Sequence, residues 1–162
     1  MTTPQTPYDM LRASKLAAEL TDEQCRTLAA RLAVRELNDG ELLVREGTSD
    51  NHLYAIVSGT LAVARGAGTP EEVQLFTLGA GDSVGEMSFL DDNVHYASVV
   101  ARGHVKVFGL ERQQLETLLD SDPHVVYRLM RAIVRRVHQS QHRLAAQTAE
   151  LTNYVYKQHG RY

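Results

Sequence analysis

The residues best suited to chemistry lie between positions 78 and 101, in LGAGDSVGEMSFLDDNVHYASVVA. Gly79, Gly81 and Gly85 punctuate a turn and Glu86 follows at once. A short apolar helical piece then leads to His95 and a β-branched strand. The usual catalytic sets are not readable elsewhere. His52, His95 and His104 are dispersed on separate elements, without the His-x-His pair that a jelly-roll metal site uses to fill a coordination sphere. His138 and His142 stand four apart, but a pair on a helix surface is a weak metal signal, and no metal site is assigned. No Ser–His–Asp or paired-carboxylate arrangement appears, so no catalytic residue is assigned and the chain is not read as an enzyme. Cys25 is the single cysteine, which rules out an internal disulfide and any multi-cysteine metal site.

These residues need a scaffold, and the periodicity describes one. Residues 8–35 read as helical, with Thr21-Asp22-Glu23-Gln24 forming a capping-box pattern ahead of Leu28 and Leu32. From about Glu36 the period changes to two. Strands are expected at 41–45, 53–57, 61–65, 73–78, 97–101 and 105–110, separated by Asn-Asp-Gly, Glu-Gly-Thr, Ser-Gly and Gly-Ala-Gly-Thr-Pro turns. Many short strands with glycine turns favour an antiparallel jelly roll or barrel. A short helix is expected over 111–119. Asp120-Ser121-Asp122-Pro123 then caps a long helix. Its seam of Tyr127, Met130, Val134, Val137, Gln141, Leu144, Thr148, Leu151 and Val155 is spaced 3-4-3-4. That is a coiled-coil pattern, and about 30 helical residues would extend about 45 Å, further than a small barrel can cover. A homodimer through the 124–155 helix is therefore expected.

The 162 residues suffice for one domain with its own core. No apolar run approaches the roughly 18 residues that span a bilayer, and the first residues, MTTPQTPYDM, lack signal-peptide character, so no membrane partner and a cytoplasmic location are expected. The net charge of −3 is uneven: residues 124–162 carry +6 and residues 1–123 carry −9. A basic helix beside an acidic body suits nucleic acid, an anionic ligand, an acidic partner surface, or the protein's own acidic part.

Two sequence blocks give this pattern a family. Gly47-x6-Tyr54-Ala55-Ile56-Val57-Ser58-Gly59-Thr60-Leu61 is similar to the G…LYxIxxGxxxV segment of the cyclic nucleotide-binding domain superfamily. The run from Leu78 to Met87 resembles the LxxGDxFGEL segment of the same superfamily, which includes the catabolite activator protein and the protein kinase A regulatory subunits. The resemblance covers nearly the whole chain. It implies an α+β, mainly β fold: an antiparallel jelly-roll β-barrel (double-stranded β-helix) flanked by N-terminal helices and a long C-terminal dimerisation helix. The expected division is a single domain over 1–162. Its parts are helices at 8–35, a barrel at 36–110 with a phosphate-binding cassette at 79–97, and C-terminal helices at 111–162.

The resemblance also implies a ligand: cyclic AMP, cyclic GMP or a related anion. The Gly-Glu turn approaches the cyclic phosphate in the family, and the glutamate accepts hydrogen bonds from the ribose. Gly85 suits the first role, because no Cβ obstructs the phosphate and successive N–H groups form an anion-binding concavity. Glu86 suits the second, with Val84 and Met87 beside them. Where family members carry a phosphate-binding arginine, this chain places His95, or Tyr96 in a register longer by one residue, followed by Ala97. Arginine offers a permanent charge and a bidentate fork, whereas histidine, with an ordinary pKa of about 6.5, is a conditional cation. Ser140 and Gln141 match the family's polar contacts to the purine from the long helix. The cassette is thus degenerate, and the alternative is a ligand-free dimerisation or protein-docking module whose downstream protein partner is unknown. Twelve residues follow Glu150, too few for a helix-turn-helix domain, so sequence-specific DNA binding is not expected. Some superfamily members bind haem, and no residue here indicates it strongly.

Overall fold

The computed structural model describes residues 5–159, with the side chains of 140–145, 147, 158 and 159 outside that description. Two capping boxes open the chain. Thr6 and Asp9 cap α1 (Pro7–Ala13), and Thr21 and Gln24 cap α2 (Asp22–Ala29), each satisfying amides that a first helical turn leaves unpaired. A 3-10 turn at Lys15–Ala17 joins them. The helical reading of 8–35 runs too far: β1 (Ala33–Leu37) already pairs antiparallel with Val105–Gly109, and this long-range pairing overrides the local helical pattern.

The sheet is built on β3 (His52–Arg65) and β6 (Ser98–Glu111), which pair antiparallel along most of their length. Around them stand β2 (Leu42–Val44) on β6, and β4 (Val73–Leu78) and β5 (Ser83–Val84) on β3. The fold is a mainly antiparallel jelly roll with flanking helices, as the pattern implies. Each of the two long strands was expected as a pair of shorter ones. Gly59 and Gly103 both have positive φ, yet neither ends its strand.

Alternation explains why β3 and β6 are buried on both faces. Leu53 and Ala55 join Phe108 and Leu110 in a core shared with the helices, while Tyr54 and Ile56 join Val105 and Val107 inside the barrel. The register shifts between Ile56 and Thr60, and past this bulge Leu61 and Val63 point inward. Gly59 makes the shift possible: its φ is +92°, and a Cβ there would stand 2.5 Å from the His104 carbonyl oxygen.

After β6 come α4 (Arg112–Glu116), α5 (Leu118–Ser121) and α6 (Pro123–His159). The expected single helix over 111–119 is two short ones. Val125, Leu129, Ala132 and Ile133 of α6 are buried against the helical core. The seam residues Tyr127 and Val134 point away from it, each 60% exposed, and Leu151 and Val155 are exposed further along. The helix therefore carries one apolar face that the body covers and another that it does not. Truncating the covered face should be costly: Ile133→Ala is expected to destabilise the fold by about 2–5 kcal/mol, read from urea unfolding.

Candidate functional site

The site is assembled from the loop before β3, the turn before β5, α3 (Glu86–Asp91) and the loop that follows it. The entry turn is fixed twice. Asp82 accepts from the Gly79 amide through Oδ2 at 2.9 Å, and Ile56 exchanges backbone hydrogen bonds with Gly81 and Asp82, each at 2.9 Å. Asp82 Oδ1 accepts from Arg136 of α6 at 3.0 Å, so the long helix is tied to the turn that opens the cassette.

Gly85 begins α3 in the left-handed region, with φ +89°. A Cβ there would lie 2.6 Å from the His52 carbonyl oxygen, so β3 packs directly on the turn and only glycine fits. Glu86 is half-buried, and its Oε1 accepts from the Ser83 hydroxyl at 2.6 Å. Burial first, and then the Glu86 carboxylate, raise the Tyr96 hydroxyl above its ordinary pKa.

His95 is buried. Its amide donates to the Thr48 carbonyl and its carbonyl accepts from the Gly47 amide, both at 2.8 Å, which stitches the two motif blocks together. The imidazole Nε2 lies 3.2 Å from Asp50 Oδ1, and its Cε1 is 3.9 Å from where a Gly85 Cβ would stand. Asp50 also accepts from the Tyr54 hydroxyl at 2.9 Å and from the His52 amide at 3.3 Å. The histidines lie on separate segments, as expected, but the fold gathers His52 and His95 around Asp50, while His104 stays outside beside Glu36. Among the described residues, no cluster of three metal-ligating side chains is placed to hold an ion.

Of the residues singled out in the sequence, Val84, Gly85, Glu86, Met87, His95, Tyr96 and Ala97 fall in one neighbourhood. Val84, Gly85 and Glu86 are half-buried, His95 and Ala97 are buried, and Met87 and Tyr96 are exposed. Ser140 and Gln141 lie on α6, and their side chains fall outside the described residues. The sequence reading did not find Asp50 or the role of Ser83. Nor did it assign a partner to Arg136, whose side chain is only 11% exposed and paired with Asp82. Much of the remaining basic charge at the start of α6 is also answered internally. Arg131 and Arg135 pair with Glu19, and Arg128 donates to the Glu19 carbonyl.

The jelly roll with its glycine turn has counterparts among known proteins. The family model for the cyclic nucleotide-binding domain matches residues 34–122, and the chain belongs to that family. The N-terminal domain of a transcriptional regulator from Streptomyces coelicolor A3(2) is 31% identical, with a TM-score of 0.69 over 82% of this chain and 94% of that one. The CRP-like cAMP-activated global transcriptional regulator of Mycobacterium tuberculosis is 27% identical over 106 residues, which is 65% of this chain and 47% of the relative. The chain thus spans about half the length of the curated relatives it matches. The regulatory subunit of a cAMP-independent protein kinase A from Trypanosoma brucei, as a triple mutant bound to cAMP in its A site, is 25% identical. Its TM-score is 0.68 over 86% of this chain and 50% of that one. No helix among the described residues is long and apolar enough to cross a membrane.

The Asp50 network has a measurable signature. Burial first, and then the Asp50 charge and hydrogen bond, push the Tyr54 hydroxyl well above its ordinary pKa of 10.0. Above that value the unfolded chain releases a proton that the folded chain retains. The stabilisation is therefore fully present below about pH 10 and declines as pH rises further. Tyr54→Phe is expected to flatten part of that decline, measured by urea unfolding at about pH 9 and about pH 10.5.

Proposed function

We propose that this chain is a cytoplasmic, non-catalytic regulatory module, homodimeric through α6, that senses cyclic AMP, cyclic GMP or a related anionic ligand through a degenerate cassette. The observation that carries this reading is the Gly85–Glu86 turn, held without a Cβ against β3 and faced by His95. In this reading the amides around Gly85 receive the phosphate and Glu86 accepts from a ribose hydroxyl. His95 supplies the positive group, and Ser140 and Gln141 approach the base. Tyr96 and Ala97 border the ligand on the His95 side, with Val84 and Met87 on the other. The Mycobacterium tuberculosis relative is cAMP-activated, which supports the ligand class.

The Trypanosoma brucei protein is cAMP-independent, and one substitution in its cAMP-bound mutant exchanges threonine for arginine. That supports the view that the positive group governs cyclic phosphate affinity. An imidazole facing Asp50 through Nε2 has little left to offer, whereas a guanidinium has five donors and can serve a carboxylate and a phosphate together. His95→Arg is expected to strengthen cyclic AMP binding by roughly 10- to 150-fold, the equivalent of one charged hydrogen bond, read by calorimetry or thermal shift. If neither the native chain nor this variant binds a cyclic nucleotide, the alternative of a ligand-free dimerisation or docking module takes its place.

Dimerisation rests on the exposed seam. Tyr127, Val134, Leu151 and Val155 line a face of α6 that the body leaves in water. Replacing both Val134 and Leu151 with glutamate puts like charges along that seam. The expected result is a monomer by light scattering, with the core's unfolding transition retained.

A further inference from the structure

Asp50, in the loop before β3, has no part in the binding scheme above, yet it sits at the centre of the site. Its carboxylate meets His95 Nε2 at 3.2 Å, the Tyr54 hydroxyl at 2.9 Å and the His52 amide at 3.3 Å. Its own amide donates to Ser88 Oγ of α3 at 3.3 Å, and its carbonyl meets the His52 ring. One acidic residue is thus fastened to β3, to α3 and to the loop that bears His95. The imidazole is 8% exposed and the carboxylate 29%, so the pair is shielded from water without being sealed off. By the ring atom next to Nε2 the same imidazole approaches Gly85, with Cε1 3.9 Å from the missing Cβ position. The carboxylate and the turn therefore approach neighbouring atoms of one ring.

We propose that Asp50 is a specificity-determining residue: a built-in anion that engages His95 and sets the cassette against ligands bearing a full negative charge where the cyclic phosphate would lie. This rests on the reading of the cassette as the ligand site. An incoming phosphate meets two obstacles. It competes with a carboxylate already placed on the imidazole, and it lies close to a like charge in a partly dry region, where Coulomb repulsion is weakly screened. An uncharged ligand of the same shape meets neither. Glu86 adds a second carboxylate to the neighbourhood, and its pairing with Ser83 fixes that carboxylate in place without neutralising it.

The test compares cyclic AMP with adenosine, the same purine and ribose without the phosphate, by calorimetry on the native chain, Asp50→Asn and His95→Arg. Asparagine removes the charge and keeps an oxygen for the Tyr54 hydroxyl, while an NH2 replaces the oxygen that faces His95 Nε2 and the His52 amide. The expected result for Asp50→Asn is a gain of about tenfold for cyclic AMP with no gain for adenosine, the size of one partly screened like-charge contact. An unchanged or weakened cyclic AMP affinity would mean that Asp50 merely orients the ring, and equal gains for both ligands would mean a change of shape; either overturns the proposal. Should Asp50→Asn lower the melting temperature, Asp50→Ser must show the same phosphate-selective gain. If His95→Arg binds cyclic AMP while the Asp50 variants gain nothing, this inference falls and the ligand site stands. If no variant binds either ligand, both fall.

Discussion

The pairing of β3 with β6 is the constraint on which everything else in the molecule depends. Each strand is fourteen residues long, and their side chains alternate between the barrel interior and the core beneath the helices. A one-residue slip would exchange those two sets, placing Tyr54 among the helices and Leu53 in the barrel. The bulge at Gly59 belongs to the same constraint. It changes the parity of β3 alone, so that Ile56 can face Val107 and Leu61 can face Ala101 on the same inner surface. The site inherits its geometry from this register. The start of β3 brings Asp50 and the His52 carbonyl to the cassette, and the start of β6 fixes the loop carrying His95 and Ala97.

The long helix is attached to this sheet by two kinds of contact. Its apolar face, from Val125 to Ile133, is buried by the hydrophobic effect, which has no direction and would tolerate some sliding. Arg136 adds direction by reaching Asp82, whose second oxygen holds the Gly79 amide. A shielded ion pair of this kind adds little net stability, because desolvation offsets much of the attraction. Separating it leaves a poorly solvated charge behind, so it acts chiefly on position. The entry turn of the cassette and the azimuth of α6 are therefore set by one carboxylate. The pairing of Arg131 and Arg135 with Glu19 extends the same logic to another part of the helix and answers part of its basic charge from within the chain.

Much of this was legible in the sequence where the cause is local. The Thr21–Gln24 capping box, the glycine turn at 79–85 and the strand at 73–78 depend on residues within a few positions of one another. The exposure of Tyr127, Val134, Leu151 and Val155 on α6 follows from helical period, whereas Met130 of the same seam packs on the core. What escaped notice depends on distance along the chain. Asp50 and His95 are 45 residues apart and Asp82 and Arg136 are 54 apart, and nothing near any of the four marks it as paired. The strand boundaries failed for a related reason. Ser-Gly at 58–59 has the composition of a tight turn, yet continuous pairing with β6 makes it a bulge within one strand. Ala33 to Arg35 fall within the stretch read as helical and are strand because β6 offers them an edge.

The same distinction bears on how far the Gly-Glu motif identifies a ligand. Gly85 is required by the fold itself, since its φ is +89° and the His52 carbonyl occupies the space of any Cβ. Glu86 already has an internal partner in Ser83. Both residues thus have structural reasons to be present whether or not a phosphate arrives, and their presence speaks more for the fold than for what it binds. His95 and Asp50 differ, because they set an imidazole against a carboxylate at 3.2 Å in a largely shielded place. A shielded imidazole facing a shielded carboxylate costs desolvation on both sides, and packing does not require it. In the proposed ligand site that pair is the chemistry on which selectivity rests, and the backbone cradle beside it supplies the shape.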